Sequence, residues 1–400
     1  MNAAPSTDET RTGGKRHSPL FLAVFAVLLI ATTICAVGVC IGVLSVRLSH
    51  HDTLWFWTSG HLLAYGQNPY DEAAIRQIEI GLGMPPYIDL PMTRNPPTAL
   101  FLMLPMGWMG ARTGSLAWSL LMAVFLALSL QAIAAVLPSG YHRQYLWLAW
   151  LFPPALCCIE VGQMGLIVLL GLALFLRFQE SGPLWAGAAL SLCAVKPHLL
   201  FPFGAVLVAW IVLRRRWRIL AGAVAALAVE SAIAMLFDRA VWAHYFAAMR
   251  MQDFADEYVP TVGVALRFLI DRRAMWLQFV PAALGCVWGL WYFWRNRKRW
   301  DWRTHGSLLV LISLVAAPYA WFTDQVIAIP AILFALLGGR RLRRGSLTLL
   351  LAVMTAAAVE MMMTSTLFFR PYLWQGLAWL GWYLYATSGT ATADEAVAAG

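Results

Sequence analysis

LFLAVFAVLLIATTICAVGVCIGVLSV, residues 20–46, carries no charge over its whole length. As a helix it measures roughly 40 Å at ~1.5 Å per residue. The hydrocarbon core of a bilayer is about 30 Å thick. The run is too long for the ~7–15-residue core of a cleavable signal, and no A-x-A site follows it, so it reads as a retained first membrane span. Apolar runs of similar character recur from Leu20 to Ala386. The chain is 60% hydrophobic and only 12% charged, against about a quarter charged in soluble domains. Backbone polar groups in lipid must be satisfied within each segment, which selects a helical bundle. The fold class is all-α, a polytopic transmembrane bundle of about twelve spans. A single integral domain is expected over 20–388, between polar tails at 1–19 and 389–400 expected to be disordered.

The formal net charge is +9, yet its distribution argues against nucleic acid. The densest basic groups, Arg214–Arg218, Arg295–Arg303 and Arg340–Arg344, each fill a short gap between apolar runs. Basic gaps of this kind mark cytoplasmic loops. With Arg11, Lys15 and Arg16 also inside, the spans after the first fall at 97–110, 115–137, 144–160, 163–179, 183–213, 217–237, 275–294, 305–319, 325–337, 346–364 and 371–388. All three clusters then lie on the cytoplasmic side, with both termini. Two long loops, 47–96 and 238–274, and a turn around Trp321–Asp324 lie outside. Pro197 is expected to break or kink the run 183–213. The six cysteines, Cys35, Cys40, Cys157, Cys158, Cys193 and Cys286, sit in apolar runs and read as small buried hydrophobes.

The first span delivers HDTLWFWTSGHLLAYGQNPYD, residues 51–71, to the outer surface. Residues 52–65 suit an amphipathic helix with Asp52, Trp55 and Ser59 near one face. Asn68–Asp71 makes a turn, and Asp71 or Glu72 opens a second short helix. Helices of this kind are expected to lie in the membrane interface.

Ionisable groups within or at the rim of a membrane are expensive and mark functional sites. Asp52 is either the N-cap of the loop helix or a general base. Lys196, followed by Pro197 and His198, either snorkels, meets an anionic ligand such as a phosphate, or pairs with Glu230 or Glu160. Asp324 is either a cap or part of the same wet site. Gln163, in GQMG at 162–165, either packs helices or hydrogen-bonds across them. Glu160, Glu230 and Glu360 have no assigned role. The loop 238–274, with Asp253, Asp256, Glu257 and Tyr258, either closes over a substrate or forms a solvated cover. No nucleotide-binding, zinc-protease or nucleophile-elbow motif occurs.

Five stretches in order resemble glycosyltransferase family 87. They are residues 51–71 above, RNPPTALFLMLPM at 94–106, EVGQMGLIVLLGLAL at 160–174, LWAGAALSLCAVKPHLLFPF at 184–203 and APYAWFTDQVIAIPAIL at 317–333. The chain departs from the family's pattern at Asn95, Gly165, Thr323 and Asp324. The resemblance implies a GT-C type of fold. It implies transfer of a sugar, mannose first among the candidates, from a polyprenyl-phosphate donor to a glycolipid or glycan acceptor at the outer face of the plasma membrane. By the same resemblance Asp52 matches the catalytic base and Lys196 the lysine near the donor phosphate. His198 and Arg94 would join Lys196, and His51, Trp55, Tyr70, Gln163, Trp321 and Asp324 would line the substrate cavity. No dedicated metal cage occurs in the sequence, while a divalent metal at the phosphate stays compatible with it. The rival reading is a transporter or flippase for lipid-linked sugars, for which no inverted repeat is seen.

Overall fold

The computed structural model describes residues 18–45, 52–84, 94–137, 143–252, 254–338, 342–363 and 372–389. The expectations for the two tails, His51 and Asp253 lie outside these residues, except for the few tail positions at 18–19 and 389. Every regular element among them is helical. In chain order they are α1 (Pro19–Ser45), α2 (Thr53–Ala64), α3 (Glu72–Gly81), α4 (Leu100–Gly107), α5 (Ala111–Val136) and α6 (Pro153–Val161). Next come α7 (Gly165–Phe178), α8 (Pro183–Ser191), α9 (Phe201–Arg214), α10 (Trp217–Phe237), α11 (Val241–Met251) and α12 (Val262–Ile270). The last are α13 (Val280–Asn296), α14 (His305–Ala316), α15 (Ile329–Leu337), α16 (Ser346–Met363) and α17 (Leu373–Thr387).

Five helical stretches among the described residues are long and apolar enough to cross a membrane: Pro19–Gly38, Ala111–Val136, Pro197–Arg214, Trp217–Phe237 and Met275–Arg299. Six more apolar helices are shorter, including Gly165–Phe178, His305–Ala316 and Phe322–Leu337. Several runs that look continuous in sequence are split. The run 144–160 becomes a 3-10 stretch, Arg143–Ala149, followed by α6. The run 325–337 is a 3-10 stretch, Phe322–Ala328, followed by α15.

The run 183–213 breaks at Lys196, whose backbone lies at φ −140° and ψ 67°. The cause is the next residue. A proline ring clashes with the residue before it in the α region and drives it toward extended geometry. Single 3-10 turns flank the break, Leu192–Val195 before it and Pro197–Leu200 after it. The two halves then pack on different partners, α8 against α7 and α10, α9 against α13 and α14.

The loop helices correct one expectation. Nine of the twelve residues of α2 are buried, Thr53, Thr58 and Ser59 among them. It is packed into the protein core, not an amphipathic helix lying on the protein surface. Backbone contact with α4 puts it there: a Cβ on Gly60 would strike the Met103 carbonyl, and one on Gly107 the Gly60 carbonyl. Small residues permit this closeness. The helix α3 does start where expected, with the Asp71 carboxylate accepting from Ala73 N and Ala74 N.

The arginine-rich gaps meet at one end of the bundle. Arg214 Nη2 donates to the Arg297 carbonyl at 2.6 Å. Tyr383 Oη donates to the Thr304 carbonyl at 3.2 Å, and Arg343 N to the Ala386 carbonyl at 3.2 Å. From this end α9 and α14 run about 18–21 Å, at ~1.5 Å per residue, to the Lys196 break and to the Ala317–Trp321 turn.

Candidate active site

Lys196 is 6% exposed and Asp324 is fully buried. Their charges pair at 2.6 Å, Lys196 Nζ to Asp324 Oδ1. The other oxygen of Asp324 accepts from Trp321 N at 2.9 Å, capping the 3-10 stretch. Asp324 therefore caps the 3-10 stretch, as considered for it, and is also the ionic partner of Lys196, which was not expected of it. Glu230 and Glu160 are not the partners of Lys196. Glu230 accepts from Ser191 Oγ, and Glu360 accepts from Gln375 Nε2 at 2.6 Å.

Lys196 Nζ also donates to Gln163 Oε1 at 2.8 Å. The amide of Gln163 turns its nitrogen to Asp52 Oδ2. One amide thus joins the ammonium to the carboxylate. The turn that presents Gln163 depends on Gly162, the left-handed C-cap of α6 at φ 76°, whose Cβ would strike Thr53 and Trp118. Asp52 occupies the N-cap position of α2, but its side chain makes no cap bond. Burial lifts its pKa from the usual carboxylate value to about 6. The Gln163 hydrogen bond and the Lys196 charge oppose that rise, and the Asp324 charge adds to it.

These groups edge a cavity of about 370 Å³, within the range of ligand pockets, roughly 300–1,000 Å³. Asp52, Trp55, Arg94, Gln163, Lys196, His198 and Trp321 all line it. Arg94 Nη1 is held by both oxygens of Glu257, at 2.7 and 2.9 Å. Tyr319 Oη donates to Glu257 Oε1 at 3.2 Å and accepts from Trp321 Nε1 at 2.7 Å. A hydrogen-bonded chain therefore runs around the cavity from Arg94 through Glu257, Tyr319, Trp321, Asp324, Lys196 and Gln163 to Asp52. His198 packs edge-on against Tyr319, and its Nε2 has no partner among the described residues.

Two residues expected on the wall stand behind it. Asp324 reaches the cavity only through Lys196. Tyr70 is 3% exposed and donates from its hydroxyl to the Asn95 carbonyl at 2.8 Å. Asn95 itself lines the cavity and ties the loop to the break, Nδ2 to the Val195 carbonyl at 2.8 Å.

Sequence reasoning missed Asn95, Tyr245, Glu257 and Tyr319 as wall residues. Asn95 and Tyr319 lie inside the quoted motifs and were within reach. The 238–274 segment is not merely a solvated cover. The guanidinium of Arg267, in α12, is 1% exposed and gathers the carbonyls of Phe254, Ala255, Glu257 and Arg272 at 2.5–3.0 Å. That knot holds Glu257 against Arg94. Among the described residues no three His, Cys, Asp or Glu side chains come together as metal ligands.

The profile of glycosyltransferase family 87 matches residues 93–318. That span covers the wall residues Arg94, Asn95, Gln163, Lys196, His198, Tyr245 and Glu257, while Tyr319 and Trp321 lie just beyond its end and Asp52 and Trp55 lie well before its start. No curated protein and no solved structure matches the chain.

Proposed function

We propose a reaction for this cavity from one premise: the chain belongs to glycosyltransferase family 87 and transfers a sugar from a donor to an acceptor. The donor is a sugar carried on polyprenyl phosphate, mannose being the first to test, and the acceptor is a hydroxyl of a glycolipid or glycan. The bundle is of the GT-C type, with about twelve spans. The cavity opens at the outer face of the plasma membrane, since the arginine-rich end opposite it belongs inside.

The step is one inverting displacement. The acceptor oxygen attacks the anomeric carbon, and Asp52 takes its proton through the oxygen that Gln163 leaves unused. The bond from the anomeric carbon to the phosphate oxygen breaks, and its electron pair leaves with the phosphate. Lys196 has three donors, of which Asp324 and Gln163 occupy two. The third is free to meet the phosphate. Arg94 joins once the phosphate displaces Glu257, and His198 Nε2 supplies a further polar contact. Asp324 is a positioning residue: it holds Lys196 and touches no substrate.

The observation that carries this reading is the Gln163 bridge. It sets a base and a cation one amide apart on a single cavity wall. A base must lie within hydrogen-bond reach of the proton it removes, and a preorganised cation stabilises charge as it forms on the leaving group. The test is purified protein in detergent with polyprenyl-phosphate mannose and a crude lipid acceptor. Covalent product in the absence of any membrane barrier is expected, with Asp52→Asn about 10²–10⁴-fold slower. Asp52→Asn that inserts normally and transfers at the parental rate overturns the assignment. No product in detergent, together with movement of lipid-linked sugar across the bilayer of reconstituted vesicles, supports the transporter instead.

A further inference from the structure

A second cavity, of about 520 Å³, lies beside the first. Its polar wall is formed by Asn68, Tyr70, Asp71, Glu72, Arg76 and His244. One aromatic pair separates the two. Tyr70 lines the second cavity and Tyr245 the first, with ring centroids 5.4 Å apart. The halves of this partition are held differently. The Tyr70 hydroxyl is tied to the Asn95 carbonyl, while the Tyr245 hydroxyl makes no hydrogen bond among the described residues, and its ring is only half-buried. The helix α11 serves both cavities, giving Tyr245 to one and His244, Ala247 and Ala248 to the other.

The lining indicates the ligand class. Asp71 Oδ1 caps α3, Asn68 Oδ1 accepts from Tyr70 N at 2.9 Å and His244 Nδ1 meets Asp238, which leaves Asp71 Oδ2, Asn68 Nδ2 and His244 Nε2 beside the Glu72 carboxylate as the polar groups for a ligand. Such groups match neighbouring hydroxyls. Acidic and basic members are both present, and His244 is itself backed by Asp238 at 2.7 Å, so the cavity has no anion-selective character. Its aliphatic lining is short, namely Ala73, Ala247, Ala248 and Met251. That suits the C–H face of a pyranose better than a long prenyl chain.

We propose that this second cavity binds the carbohydrate of the acceptor, holding the glycosyl unit next to the hydroxyl that reacts in the first cavity, with Tyr245 as the displaceable part of the wall between them. The proposal rests on the transferase reading above, and it is tested by binding alone, so that the two fail separately.

Full-length protein in nanodiscs, free of sugar-based detergent, would be titrated with octyl α-mannoside, with octyl α-dimannoside and with octanol, and binding read by saturation-transfer NMR and tryptophan fluorescence. The disaccharide is expected to bind at least about fivefold more tightly than the monosaccharide. Ala247→Trp, an exposed position that fills the cavity from its edge, and Arg76→Ala should each remove that advantage and leave monosaccharide binding unchanged. Asp52→Asn should keep it, since binding involves no proton transfer. Equal affinity for the two mannosides in the parent overturns the proposal, as does a disaccharide advantage that survives both variants. Loss of octanol binding in Ala247→Trp would assign the cavity to a lipid chain instead, and equally refutes it.

Discussion

Two ion pairs serve the first cavity, and they differ in how much water they see. The side chains of Lys196 and Asp324 are 7% and 0% exposed, while those of Arg94 and Glu257 are 27% and 25% exposed. The first pair is locked by further bonds to Gln163 and Trp321 N, and it sits where the chain itself is broken. The second joins a loop residue to a segment held by Arg267. Removing one member of a buried pair strands a charge at a cost of about 3–5 kcal/mol, whereas partly exposed pairs contribute about 0–1 kcal/mol. The inner pair is therefore a fixed electrostatic element, and the outer pair is the one that the proposed reaction asks the donor phosphate to exchange.

The largest effect should come from breaking the inner pair. Lys196→Ala is expected to lower turnover by about 10²–10³-fold and to destabilise the fold by several kcal/mol, read by thermal unfolding in detergent. Lys196→Met combined with Asp324→Leu should recover much of the stability and none of the activity. Recovery of activity in the double variant would show that Lys196 is only structural.

A smaller effect, and a sharper one, concerns pH. The base must be ionised, so kcat/KM should be half-maximal near pH 6, where Asp52 titrates, reach its plateau above about pH 7 and fall below pH 6. Asp52, Glu257 and Asp324 set three negative charges against Lys196 and Arg94, leaving one in excess. An anionic donor makes ionisation of Asp52 harder still, so the acid limb of kcat should lie at higher pH than that of kcat/KM. Because the folded state raises this pKa, ionisation works against the fold. Asp52→Asn should therefore gain thermal stability over the parent above pH 6 and gain none below pH 4. A flat kcat/KM between pH 5 and 8 removes Asp52 as the base.

The outer pair should show the mildest phenotype. Arg94→Ala is expected to raise KM for the donor about tenfold with a smaller fall in kcat. Glu257→Gln should lower that KM, since it releases Arg94, and added salt should narrow the gap between Glu257→Gln and the parent. Equal stability losses for Arg94→Ala and Lys196→Ala would erase the distinction between the two pairs.

The sequence by itself determined the helical membrane class, because uncharged runs of this length have few other stable forms. It determined the break at Lys196, because a proline acts on the residue before it whatever the tertiary context. It also singled out Asp52, Gln163 and Lys196, since polar groups stand out against an apolar background. Only the tertiary structure decided which charges meet. Lys196 had Glu160 and Glu230 as nearer acids in the chain, yet its partner is Asp324, more than a hundred residues away. Local pattern does not encode such a distance. The same holds for α2, whose aromatic surface reads as interfacial until Gly60 and Gly107 bring it against α4. It holds too for Glu257, which looks like a solvated loop acid until Arg267 gathers the carbonyls around it. In each case the deciding energy comes from burying a charge or a backbone beside a partner that only the packed bundle supplies.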